Sequence, residues 1–86
     1  MMLTTFADRL HRGKANNLTY AKDGKEGLVS VWKHEGLLVL TWEECPAGQQ
    51  YDESTYTRDE KHSFSTVEEV LAFLAAHGLT LESFKP

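Results

Sequence analysis

Cysteine, long apolar runs, excess positive charge and recognisable catalytic spacing are all scarce or missing in this chain, and each shortage excludes something. With one cysteine, Cys45, no internal disulfide can staple the fold. No apolar run approaches the ~20 residues of a membrane-crossing helix. The amino terminus, MMLTTFADRLHRGK, has the spacing of an amphipathic helix rather than the continuous apolar stretch of a signal peptide. The expectation is a cytoplasmic chain with no membrane partner, in which the Asn17-Leu18-Thr19 sequon has no use.

Basic charge is in deficit: thirteen acidic residues give a formal net charge of −4, a poor field for recruiting nucleic acid or anionic lipid. There are no close-spaced His or Cys pairs, no nucleophile elbow and no glycine loop to cradle phosphate. Gly24, Gly27 and Gly36 are accounted for by turns and strand packing. No cofactor is expected, and the reading is non-enzymatic.

What is present is ordinary globular composition, 41% hydrophobic and 26% charged, which argues against disorder. Eighty-six residues make one domain, residues 1–86. A chain of that size buries only about 60 to 65 per cent of its unfolded surface, so its stability is thin without a staple or a partner.

Leu3, Phe6, Ala7 and Leu10 keep the i, i+3, i+4, i+7 spacing of one helical face and predict a helix over 4–12, capped by Thr4 or Thr5 and ended at Gly13. Leu18 to Lys22 reads as a short strand closed by Asp23-Gly24, a two-residue hairpin turn. Gly27 to Glu44 reads as a second hairpin around Glu35-Gly36, with tryptophans at 32 and 42. Cys45 to Gln49 breaks the pattern, Gln50 to Arg58 suits a polar edge strand, and Asp59 to His62 suits a charged loop. Ser65-Thr66-Val67-Glu68 has the form of a capping box for a second helix, with its stripe at Val67, Val70, Leu71 and Leu74, broadened by Phe73 and stopped at Gly78.

These elements predict an α+β fold, α-β-β-β-β-α: a four-stranded antiparallel meander with its N-terminal and C-terminal helices on one face. Two-residue turns place Leu18, Tyr20, Val29, Val31, Leu38, Leu40 and Trp42 on the helix-covered face, with Tyr20 filling the gap beside Gly27. Leu28, Ser30, Trp32, His34, Leu37, Val39, Thr41 and Glu43 then fall on the other. Glu35 suits a primed turn poorly, however, and a three-residue His34-Glu35-Gly36 loop would exchange the faces of residues 37 to 43.

Four functional readings compete for this pattern. The leading one is a non-enzymatic interaction or regulatory module, a homodimer or a binder of another protein. Its interface would be Leu28, Ser30, Trp32, His34, Leu37, Val39 and Thr41, an aromatic centre with a polar rim. Against it, Trp32 would be core if the alternative register held, or if Leu81 and Phe84 folded back over it.

The second reading is single-stranded nucleic-acid binding: Trp32, Tyr51 and Tyr56 would stack bases, with Arg9, Arg12, Lys14 and Lys33 on phosphate. The net charge disfavours it. Metal binding and acid-base catalysis rank lower. Both draw on His34 and His62, which a returning fourth strand would bring together with Asp59 and Glu60. Cys45 makes a poor nucleophile, since Glu43 and Glu44 disfavour its thiolate.

Overall fold

Two tight turns organise the sheet. In a computed structural model describing residues 1–86, Asp23 and Gly24 have φ of 53° and 77°, and Glu35 and Gly36 have φ of 51° and 80°. Positive φ at both central residues is the primed turn whose twist matches that of its flanking strands. Both hairpins therefore close on two residues, with Lys22 opposite Lys25 and His34 opposite Leu37. The three-residue loop does not form.

The resulting sheet runs β1 (Asn16–Lys22), β2 (Lys25–His34), β3 (Leu37–Pro46) and β4 (Arg58–Phe64), antiparallel and in chain order. Pairing of Leu18 with Val29, Val29 with Trp42 and Val31 with Leu40 puts the expected residues on one face. Over that face lie α1 (Leu3–His11), against β1 and β2, and α2 (Val67–Ala76), against β3 and β4. Phe6, Leu10, Leu18, Val29, Val31, Leu38, Leu40, Trp42, Val70, Leu74 and Phe84 form the core between the layers.

Both helices end in the same way. Gly13 and Gly78 take positive φ, and the residue after each returns its N–H to a carbonyl five residues back, Lys14 to Arg9 at 2.8 Å and Leu79 to Leu74 at 2.9 Å. Left-handed glycine caps of this kind satisfy carbonyls that the last turn would leave orphaned. Leu79 is thereby turned onto the core.

Several expectations are corrected. Helix α1 starts at Leu3 with Met2 as its N-cap and no side-chain cap, so neither Thr4 nor Thr5 serves. Of the expected strand over 50–58 only Arg58 lies in one, and the stretch 50–57 is not a strand. It is an irregular connection with a single 3-10 turn at Glu53–Thr55, and β4 begins where a loop was expected. The inward positions of β4 are Arg58, Glu60, His62 and Phe64, so apolar alternation could not reveal it. They are held in place by ring faces and charge instead. The carboxy-terminal segment does not cover Trp32. A 3-10 turn at Leu81–Ser83 lowers Phe84 into the helix-side core, where its ring meets Phe6 edge-on at 5.3 Å, and Lys85 pairs with Asn17 on the outer edge of β1.

The cap of α2 lies one residue later than the Ser65 reading. Thr66 Oγ1 accepts from the Glu69 N–H and donates to the Glu69 carboxylate, both at 3.2 Å. Phe64 ends β4 on the core face, and Ser65 is spent on the turn from strand to helix. Thr66→Ala should therefore cost about 0.5 to 2 kcal/mol, whereas Ser65→Ala should stay within about 0.5 kcal/mol of wild type. Urea unfolding of the two variants checks this, and a larger loss for Ser65→Ala than for Thr66→Ala would return the cap to Ser65.

Candidate functional site

The sheet face away from the helices is open, and strand alternation decides what it displays. β2 contributes Glu26, Leu28, Ser30, Trp32 and His34, and β3 contributes Leu37, Val39, Thr41, Glu43 and Cys45. The seven residues read as a possible interface, Leu28, Ser30, Trp32, His34, Leu37, Val39 and Thr41, thus share one surface. Leu37 and Leu28 are the most exposed apolar members at 44% and 38%, Trp32 is half-buried between them, and Ser30 donates to Asn17 Oδ1 at 2.7 Å. One expectation fails: Val39 does not add to the exposed patch, being only 4% exposed in a central strand between Trp32 and Ser63.

Toward the other end of the strands the same face turns acidic. Glu26, Glu43 and, from β4, Asp59 gather there, and none of the three has an ion-pair partner. Glu43 stands directly opposite Asp59, a like-charge cross-strand pair that weakens a sheet. The 47–57 connection bounds this end, tied down by Tyr56 Oη donating to the Gln50 carbonyl at 2.6 Å and Thr57 N–H to that of Glu44 at 2.7 Å. Between connection and sheet is a cleft of about 530 Å³, lined among others by Thr19, Glu26, Leu28, Glu43, Cys45 and Tyr56. Burial, then the carboxylates of Glu26, Glu43 and Glu44, pushes the Cys45 thiol above its ordinary pKa. Burial first, with Glu43 next, does the same to the Tyr56 hydroxyl. Both groups are neutral at physiological pH, which weakens Cys45 further as a nucleophile.

On the helix side a second polar cluster fills the corner that α2 leaves over β3 and β4. Trp42 Nε1 donates to Tyr20 Oη at 3.0 Å, and that hydroxyl donates to Glu44. Arg58 lies over the Trp42 ring at 3.8 Å from its centroid and bonds Glu60 at 2.8 Å. His62 bonds the other Glu60 oxygen at 2.9 Å, with Phe73 packed at 4.7 Å from its ring. Every charged member has a partner, so this cluster closes the core edge and offers no free group to a ligand. The hydrogen bond from Tyr20 holds Glu44 below its usual carboxylate range, and the His62 bond does so for Glu60.

The nucleic-acid set is divided by this architecture. Arg9 donates to Asn16 Oδ1 at 2.8 Å and to the Ala15 carbonyl at 2.9 Å, fixing the end of α1 around fully buried Asn16, while Arg12 pairs with Asp8 at 3.0 Å. Lys14 follows α1, and Lys33 faces the helix layer from β2. Trp32 is on the opposite surface, and Tyr51, 94% exposed, and Tyr56 belong to the 47–57 connection rather than to a strand. Stacking groups and phosphate contacts are therefore not brought onto one platform. The two histidines are not brought together either: His34 is on the open face, 3.9 Å from Glu35, whereas His62 points to the helix side and bonds Glu60. No three His, Cys, Asp or Glu side chains converge as metal ligands.

The acidic cleft itself escaped the sequence reading. Glu26 and Glu43 are in phase with Trp32 along their strands, which was a visible signal. Asp59 and the closing connection were not visible, since both depend on where β4 begins.

Two outcomes test the helix-side cluster. A Cβ built on Gly27 would sit within the Tyr20 ring, and that ring is held by Trp42 and Glu44. Gly27→Ala should cost about 1 to 3 kcal/mol as overpacking does, and far less in a Tyr20→Ala background, as a double-mutant cycle would show. The lowered pKa values of Glu44 and Glu60 stabilise the fold above the ordinary carboxylate value of 4.5. That contribution is lost as pH falls through the depressed native values. Urea midpoints taken between pH 7 and 3 should therefore fall more steeply for wild type than for Glu44→Gln/Glu60→Gln.

No helix is long and apolar enough to cross a membrane. Comparison of the chain with protein-family models, with curated proteins and with solved structures found no match.

Proposed function

We propose that this protein is a small non-enzymatic interaction module that pairs with a second copy of itself through the apolar half of its open sheet face. The observation that carries the reading is the one-sided cover of the sheet. Both helices and the terminal segment with Phe84 pack on the same side, leaving Leu28, Trp32 and Leu37 outside. Small folds have little core to spare, and an indole placed outside with two flanking leucines is the composition of an interface centre ringed by polar groups.

A second copy suits this surface for a reason of charge. A two-fold axis across the strands at the Trp32 end lets each patch meet its own image, as isologous pairs do. It also sends the two acidic ends, with Glu26, Glu43 and Asp59, in opposite directions. The same carboxylates repel phosphate, which ranks the nucleic-acid reading lower.

Light scattering on a sizing column should show a dimer at roughly tens of micromolar, unchanged by added oligonucleotide. Trp32→Arg should dissociate it and lower the urea midpoint far less than Trp42→Arg does, by no more than the loss of pairing accounts for. Trp42→Arg, at a site 5% exposed whose indole N–H is bonded to Tyr20, should unfold the chain by burying an unpaired charge. A wild-type monomer in which Trp32→Arg is as damaging as Trp42→Arg would make Trp32 intramolecular core and end this proposal.

A further inference from the structure

The cleft at the acidic end of the open face shares only Leu28 with the proposed pairing surface, and its walls are chemically specific. Glu26 stands opposite Cys45 and Leu28 opposite Glu43. The two glutamates are thus diagonal neighbours across β2 and β3, about 7 to 8 Å apart at the backbone. Neither is paired to a cation. The rest of the lining includes apolar or neutral groups: Leu28, Ala21, Tyr56 and Cys45, the last 5% exposed. At about 530 Å³ the space falls within the ~300 to 1,000 Å³ of ordinary small-ligand sites.

We infer that this cleft is a binding site for an organic cation of the guanidinium or alkylammonium class. The charged head would rest between Glu26 and Glu43, and a short aliphatic stem would lie against Leu28 and Tyr56. A bare metal ion is the wrong occupant, because no third hard ligand converges there and half the lining is apolar. An anion is excluded by the carboxylates. The direct opposition of Glu43 and Asp59 adds an independent argument, since a cross-strand like-charge pair is unfavourable in the free protein and a bound cation relieves it. The class includes both a free amine and the side chain of arginine or lysine on another protein.

The test uses the full chain labelled with nitrogen-15 and titrated with agmatine, which carries a guanidinium and an ammonium on a four-carbon stem. Amide shifts at Thr19, Leu28, Glu43 and Cys45 should saturate below ~10 mM, and added salt should weaken them. N-butylurea, neutral with a similar stem, should produce none. Glu26→Gln/Glu43→Gln, both at surface positions, should weaken agmatine by about tenfold or more. N-acetyl-arginine amide separates the sources: binding tighter than agmatine points to a protein side chain, and weaker binding to a free amine. Asp59→Asn should raise the urea midpoint of the unliganded protein. Shifts that never saturate, that N-butylurea reproduces, or that survive in the double variant would overturn the inference. Because the readout is local to the cleft, its failure is distinct from failure of the dimer, which the sizing column reports.

Discussion

The register of the β2–β3 hairpin is the constraint on which the rest of this structure depends. Glu35 occupies a left-handed conformation at φ 51°, and for a residue with a Cβ that costs about 1 to 2 kcal/mol. A three-residue loop would avoid the cost but would exchange Leu38, Leu40 and Trp42 for Leu37, Val39 and Thr41 beneath the helices. That substitutes a valine for a leucine and a hydroxyl for an indole. Since a fully buried large side chain contributes roughly 1.5 to 3 kcal/mol, the loss exceeds the strain. The two-residue turn wins, and the two sheet faces acquire their separate characters.

On the covered side, charge is used to complete the core. Arg58, Glu60 and His62 occupy three of the four inward positions of β4, with Phe64 the fourth. Glu60 bonds both Arg58 and His62, and these two pack on aromatic rings, Arg58 on Trp42 and His62 on Phe73. On the uncovered side the opposite holds. Glu26, Glu43 and Asp59 are left unpaired beside a cleft, and Leu28 and Leu37 are left in water around Trp32. Unmet apolar area at one end of a face and unmet negative charge at the other are the two properties on which the proposed binding roles rest.

The places where sequence and structure part company share a cause. Leu3 to Leu10, the two hairpins and the Val67 to Leu74 stripe were legible because their periodicity records a single buried face. β4 was not, because its inward residues are polar and its outward ones, Asp59, Lys61 and Ser63, are polar as well, so no alternation exists to detect. The α2 cap slipped from Ser65 to Thr66 because both residues with their partners Glu68 and Glu69 satisfy the same local pattern. Only the exit of Phe64 from the sheet chooses between them.

For the candidate site the division is similar. The sequence alone placed Leu28, Ser30, Trp32 and His34 on one face by strand alternation, and the two-residue turn at Glu35-Gly36 seen in the structure added Leu37, Val39 and Thr41 to it. The sequence also determined the excess of acid over base, which is a property of composition. Only the tertiary structure decided that Phe84 packs against Phe6 and not over Trp32, that His34 and His62 face opposite ways, and that Asp59 stands opposite Glu43 beside a cleft. Those outcomes depend on how segments distant in the chain compete for the same core, and the free energy of that competition resides in packing that no local pattern encodes.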